Sequence, residues 1–188
     1  MRANWLVIAA VLAMSTTGSA RYDAPTQAEA TTATFVSARE IKAAAHKSDT
    51  GAFSDVPLRV VPIESKYNVG VAVIRRTRIG GRMRPDALIH DDVAEVYQIV
   101  EGEGVLVTGG ALRSAKPLTA AAVVGEIGPS SAGQSIAGGT SRHVVPGDIV
   151  IIPPHIPHGF VDITTPRIVY TIIRIDPQRV LELRSKPQ

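Results

Sequence analysis

The 188-residue chain contains no cysteine. Disulfides, iron–sulfur clusters and thiolate zinc sites are therefore excluded, and the core alone must hold the fold. Aromatic residues are scarce at 4%, and there is a single tryptophan. The net charge is only +3, with Lys and Arg scattered rather than gathered into a stripe interleaved with aromatics. A nucleic-acid partner is therefore not expected. No G-x-S-x-G elbow occurs, and the serines lie in stretches without a nearby histidine, which argues against a serine hydrolase. Wholesale disorder is excluded too, because 45% of the residues are hydrophobic.

What is present begins with an apolar leader. Arg2 supplies a short positive region, Trp5 to Met14 form an apolar run, and Gly18-Ser19-Ala20 offer small residues for cleavage. A run of about ten apolar residues is too short to cross a bilayer as a helix. The reading is an export signal over residues 1–20, with a mature periplasmic or secreted chain that starts at Arg21 and has no membrane attachment. Residues 21–55 form a lead-in that carries one short helix. That helix starts at the capping box Ser37 to Glu40 and ends near Lys47, with His46 on its exposed face.

Sixteen glycines and thirteen prolines punctuate the remainder. From Val56 the text is a series of short β-branched runs: Pro57 to Ile63, Tyr67 to Arg76, Glu95 to Val100 and Gly104 to Thr108. Val144-Val145, Ile149 to Ile152, Gly159 to Ile163 and Arg167 to Ile175 continue it. The alternation from Tyr67 to Val73 indicates one inward face. Such a pattern predicts an all-β antiparallel sandwich or barrel over residues 56–176. Residues 109–140, rich in Gly, Ala and Ser, read as an elaborated connection, and Gly102-Glu103-Gly104 as a hairpin turn. The tail, residues 177–188, is expected to add a last helical turn through Arg179 to Leu183.

Two patches carry chemistry. The first runs from His90 through Glu95 to Gly102, and the second from Gly147 through Pro153 to His158. In this order and spacing they resemble the two motifs of the cupin superfamily. His90 matches the second histidine of the first motif, Glu95 its glutamate and Gly102 its glycine, while Gly147, Pro153 and His158 match the second motif. The resemblance covers roughly residues 58 to 175. It implies a double-stranded β-helix, or jelly-roll barrel, with the short helix as an N-terminal addition, and pairing of two chains into a homodimer. Leu88 stands where the family has a further histidine, His155 where it has a glycine, and Asp162 where it often has an asparagine. The implied ligand set is thus reduced to His90, Glu95 and His158, with His155 or His143 next in line.

The residues themselves are compatible with that set. Side chains alternate along a strand, so Glu95 and Tyr97 share a face. A carboxylate inside an apolar barrel must be paired, protonated or bound to metal. Two imidazoles and one carboxylate suit divalent Fe, Zn, Mn, Cu or Ni. Each position also has a plainer reading. His158 fits a loop histidine, His90 a solvated neighbour of Asp91 and Asp92, and Tyr97 a core residue. Glu95 fits a salt bridge to Arg75, Arg76 or Arg78, and His143 a solvated strand edge. Three functions follow. One is an exported metal-dependent oxidoreductase of the dioxygenase kind on a small organic molecule, with Tyr97 and a pocket arginine orienting the substrate. The others are a non-catalytic module for a small ligand or metal, and a metal-independent isomerase.

Overall fold

The computed structural model describes residues 32–47, 51–77 and 87–186. The leader, the first part of the lead-in and Arg78 lie outside the described residues. Helix α1 (Ala38–Ala45) begins where the capping box places it. Ser37 Oγ accepts from the Glu40 N–H, and Glu40 Oε2 accepts from the Ser37 N–H.

Strands β1 (Phe53–Ile63), β2 (Tyr67–Thr77), β3 (Ala87–His90), β4 (Ala94–Glu101), β5 (Gly104–Thr108), β6 (Ala111–Arg113) and β7 (Lys116–Pro117) follow. Helix α2 (Ala121–Ile127) then precedes β8 (Ser130–Gly133), β9 (Ser135–Ala137) and β10 (Thr140–Val144). The series closes with β11 (Ile149–Ile152), β12 (His158–Ile163) and β13 (Arg167–Asp176). One antiparallel sheet has the order β1-β2-β13-β4-β11, a second β10-β5-β12-β3-β8-β7, and β6 pairs with β9. Their inner faces meet in a core of Ile74, Tyr97, Ile99, Tyr170 and Ile172 from the first sheet against Leu106, Phe160 and Ile163 from the second. This is the expected all-β jelly roll. Helix α1 covers part of the first sheet's outer face, where Ala44 and Ala45 pack on Leu58, Val73 and Val169. An Arg59–Glu40 ion pair of 2.5 Å ties it down. Among the described residues no helix is long and apolar enough to cross a membrane.

Several expectations are revised. Strand β1 starts at Phe53, inside the predicted lead-in. On β2 the inward set is Asn68, Gly70, Ala72, Ile74 and Arg76, so the apolar residues Tyr67, Val69 and Val71 form the outer face, where Val73 is buried under α1. Gly102-Glu103 does not close a hairpin: β4 and β5 belong to different sheets, and the turn carries the chain from one to the other. Gly102 allows this at φ 75°, where a Cβ would strike the Arg167 carbonyl oxygen. The connection 109–140 is folded into β6 to β9 and α2. The tail forms no helix. Arg179 is left-handed at φ 57°, the Leu181 N–H donates to Asp176 Oδ2 at 2.9 Å, and Arg184 pairs with Val60 on β1. Burying Leu181 and pairing that backbone outweigh the local helical tendency.

Candidate metal centre

The three predicted ligands meet inside the barrel. His90 ends β3, Glu95 is the second residue of β4, and His158 opens β12. All three are at most 3% exposed. Their nearest donor atoms lie within 4.8 Å of one another. Glu95 Oε2 stands 3.3 Å from both His90 Nε2 and His158 Nε2. Strand parity puts Tyr97 on the same face, and its hydroxyl donates to Glu95 Oε2 at 2.9 Å.

The far nitrogens decide the state of the rings. Ser130 Oγ spends its one hydrogen on the Gly128 carbonyl at 2.9 Å, so at 2.7 Å it accepts from His90 Nδ1–H. The Ile156 carbonyl can only accept, so His158 Nδ1, 2.9 Å away, is a donor as well. With Nδ1 as its only protonated nitrogen, each ring aims an Nε2 lone pair inward. Both Nε2 atoms are buried without a hydrogen-bond partner. Two lone pairs converging on a carboxylate oxygen repel unless a proton or a metal ion lies between them, and fixed Nδ1–H donors are how imidazole ligands are held for a metal. The residues present thus fit a divalent ion.

The carboxylate is kept ionised. Burial raises the Glu95 carboxyl, but His90 and His158, when they carry a proton on Nε2, and the charge of Arg174 outweigh it and hold the carboxyl well below the usual range. Burial and then the Glu95 charge push the Tyr97 hydroxyl well up, so it remains a donor. Arg174 Nε donates to Glu95 Oε1 at 3.0 Å and its Nη2 to Asp55 Oδ2 at 2.6 Å. Beside this cluster opens a cavity of about 340 Å³. Its walls are largely apolar and include Leu88, Val123, Ile127 and Ile172, with Asp55, Arg76, Glu95, Glu126 and Arg174 as charged members. Arg76 lies over the Phe53 ring, 4.7 Å from its centroid, and its Nε donates to the Tyr170 hydroxyl at 2.9 Å.

The remaining candidates fall outside the cluster. His155 is exposed, and its N–H holds the His90 carbonyl at 2.8 Å. His143 lies on the edge strand β10 with Nε2 3.4 Å from Glu103. His46 is exposed at the end of α1. The inward arginine that meets Glu95 is Arg174, not Arg75 or Arg76. It sits directly across from Glu95 in the β13–β4 register. Ser130 and Asp55 were not singled out from the sequence either, since neither lies in a motif. Leu88 pairs with His158 and lines the cavity, so the vacant fourth ligand position is an apolar piece of wall.

A family model described as the AraC-like ligand binding domain matches residues 132–187, the stretch that holds His158 and Arg174. That match spans 56 of the 188 residues, and over them the chain resembles that family. Similar solved barrels include BH2720 from Bacillus halodurans, at 13% identity over 80% of this chain and 87% of that one, with a TM-score of 0.49. Oxalate oxidase is similar at 18% identity and TM-score 0.41; 72% of this chain matches 56% of that chain's length. TT1209 from Thermus thermophilus shows 13% identity over 68% of this chain and 87% of its own, with a TM-score of 0.40. No curated protein matches the sequence.

Proposed function

We propose that this cupin is exported, holds one divalent metal through His90, Glu95 and His158, and acts as a dioxygenase-like oxidoreductase on a small organic molecule bound in the adjacent cavity. The observation that carries the metal is the pair of buried, unpartnered Nε2 atoms aimed at one carboxylate oxygen. Two imidazoles and a single carboxylate leave coordination positions open, as in non-heme Fe(II) oxygenases. When bound, the ion supplies Lewis acidity and a place for O2 or a substrate oxygen.

The chain's own residues do the rest. Tyr97 donates to the metal-facing oxygen of Glu95 and stands on the cavity wall beside it. Arg76, fixed by Phe53 and Tyr170, presents guanidinium donors to a polar end of the ligand. The apolar walls exclude water from the remainder. Metal analysis of chelator-free protein, followed by O2 consumption with a panel of small organic acids and phenols, tests the reading. Stoichiometric metal with turnover is expected; protein that stays metal-free after dialysis against Fe, Zn, Mn, Cu and Ni overturns it.

A second reading has its own support. The AraC-like family match and the loss of a fourth ligand at Leu88 favour a small-ligand binding module without turnover. Metal and ligand uptake with no O2 consumption selects it, and a product formed by metal-free protein selects an isomerase. Export is tested by sequencing the N-terminus of native protein, which should begin at or near Arg21. Pairing into a homodimer, supported by the exposed Ile149 and Ile151 on edge strand β11, is tested by light scattering.

A further inference from the structure

We infer that Arg174 is a positioning residue that makes Glu95 a one-oxygen metal ligand; the inference rests on the metal reading above. Its guanidinium is fixed from three sides by three separate elements. Nε donates to Glu95 Oε1 on β4 at 3.0 Å, Nη2 to Asp55 Oδ2 on β1 at 2.6 Å, and Nη1 to the Glu126 carbonyl of α2 at 3.1 Å. A planar fork held at three edges cannot rotate away from one of them without baring a buried donor, and Arg174 is only 4% exposed.

The consequence falls on Glu95. Oε1 is engaged by Arg174, whereas Oε2 faces both imidazole nitrogens at 3.3 Å. A second metal bond through Oε1 would place the ion against an oxygen that is turned toward, and neutralised by, the fixed guanidinium, so Arg174 favours coordination through Oε2 alone and keeps an additional metal position open toward the cavity. Asp55 balances the arginine's charge, so the restriction adds no net positive charge beside the ion. Arg174 reaches the site through its hydrogen bond to Oε1 and so acts through Glu95.

Infrared difference spectra of zinc-loaded minus metal-free protein read this directly. The two carboxylate stretches move apart when one oxygen binds and draw together when both bind, and Glu95→Gln identifies the band. The wild type is expected to show the widened separation. Arg174→Lys and Arg174→Gln, which cannot bridge three acceptors, are expected to show the narrowed one and to lose about 10- to 100-fold in zinc affinity. A narrowed separation in the wild type overturns the inference, and so do folded variants that keep the wild-type spectrum and affinity. If neither variant folds, the wild-type spectrum alone decides. Wild-type protein that takes up no zinc defeats the metal reading itself, an outcome distinct from zinc bound through both oxygens.

Discussion

Ser130 is the smallest group on which the site depends. Its hydroxyl turns the His90 ring so that Nε2 faces inward. Ser130→Ala removes that acceptor, and zinc affinity measured by titration calorimetry is expected to fall about 10- to 100-fold. The opposite change is available at Leu88, which lies across from His158 and lines the cavity. Leu88→His supplies a third imidazole, so the same titration is expected to show tighter zinc; unchanged or weaker binding means that the ring cannot reach. His90, Glu95 and His158 are legible in the sequence because their spacing in two short motifs is itself the signal. Arg174 is not, because its partner Glu95 lies 79 residues away. The trace it leaves is parity. It is a charge within an apolar strand, on the same face as Tyr170 and Ile172, and an inward charge needs a partner.

Among the elements, α1 is fastened to the barrel by charge. Glu40 is lowered to about 2 by the Ser37 backbone hydrogen bond, then by Arg59 and the Ser37 hydroxyl. A depressed carboxyl stabilises the folded state above its ordinary value of 4.5, and that stabilisation disappears as pH falls from there toward 2. Hydrogen exchange followed by mass spectrometry should therefore show α1 losing protection, relative to β2 and β13, across that interval. Equal loss in all three would mean that the helix is held by Ala44, Ala45 and Leu58 alone. The capping box made α1 readable in advance. Helix α2 has no side-chain cap, and Ala120 precedes it, so nothing local announces it; the segment takes its form from the cavity it closes. The tail misleads for the same reason, since pairing of Arg184 with Val60 is a long-range event.

For the whole molecule, the proposed metal binding and folding are one equilibrium. An ion that binds only the folded barrel, present at 100 times its dissociation constant, adds about 2.7 kcal/mol, which for a chain of this size is a rise of roughly 5–10 °C in Tm. Scanning calorimetry with and without zinc should show that rise in the wild type and none in His158→Ala. The strand pattern announced a β barrel, but not the order of its strands, which depends on pairings between distant segments. One of these has a consequence for how the chain is made. Strand β13 lies between β2 and β4 in the middle of the first sheet. Among the described strands it is also the last to leave the ribosome. Until residues 167–176 emerge, β1 and β2 cannot join β4 and β11, Glu95 has no arginine to meet, and both halves present unpaired apolar edges. Assembly of the barrel is thus deferred until β13 emerges, and a nascent chain arrested before Arg167 should bind a chaperone instead of zinc.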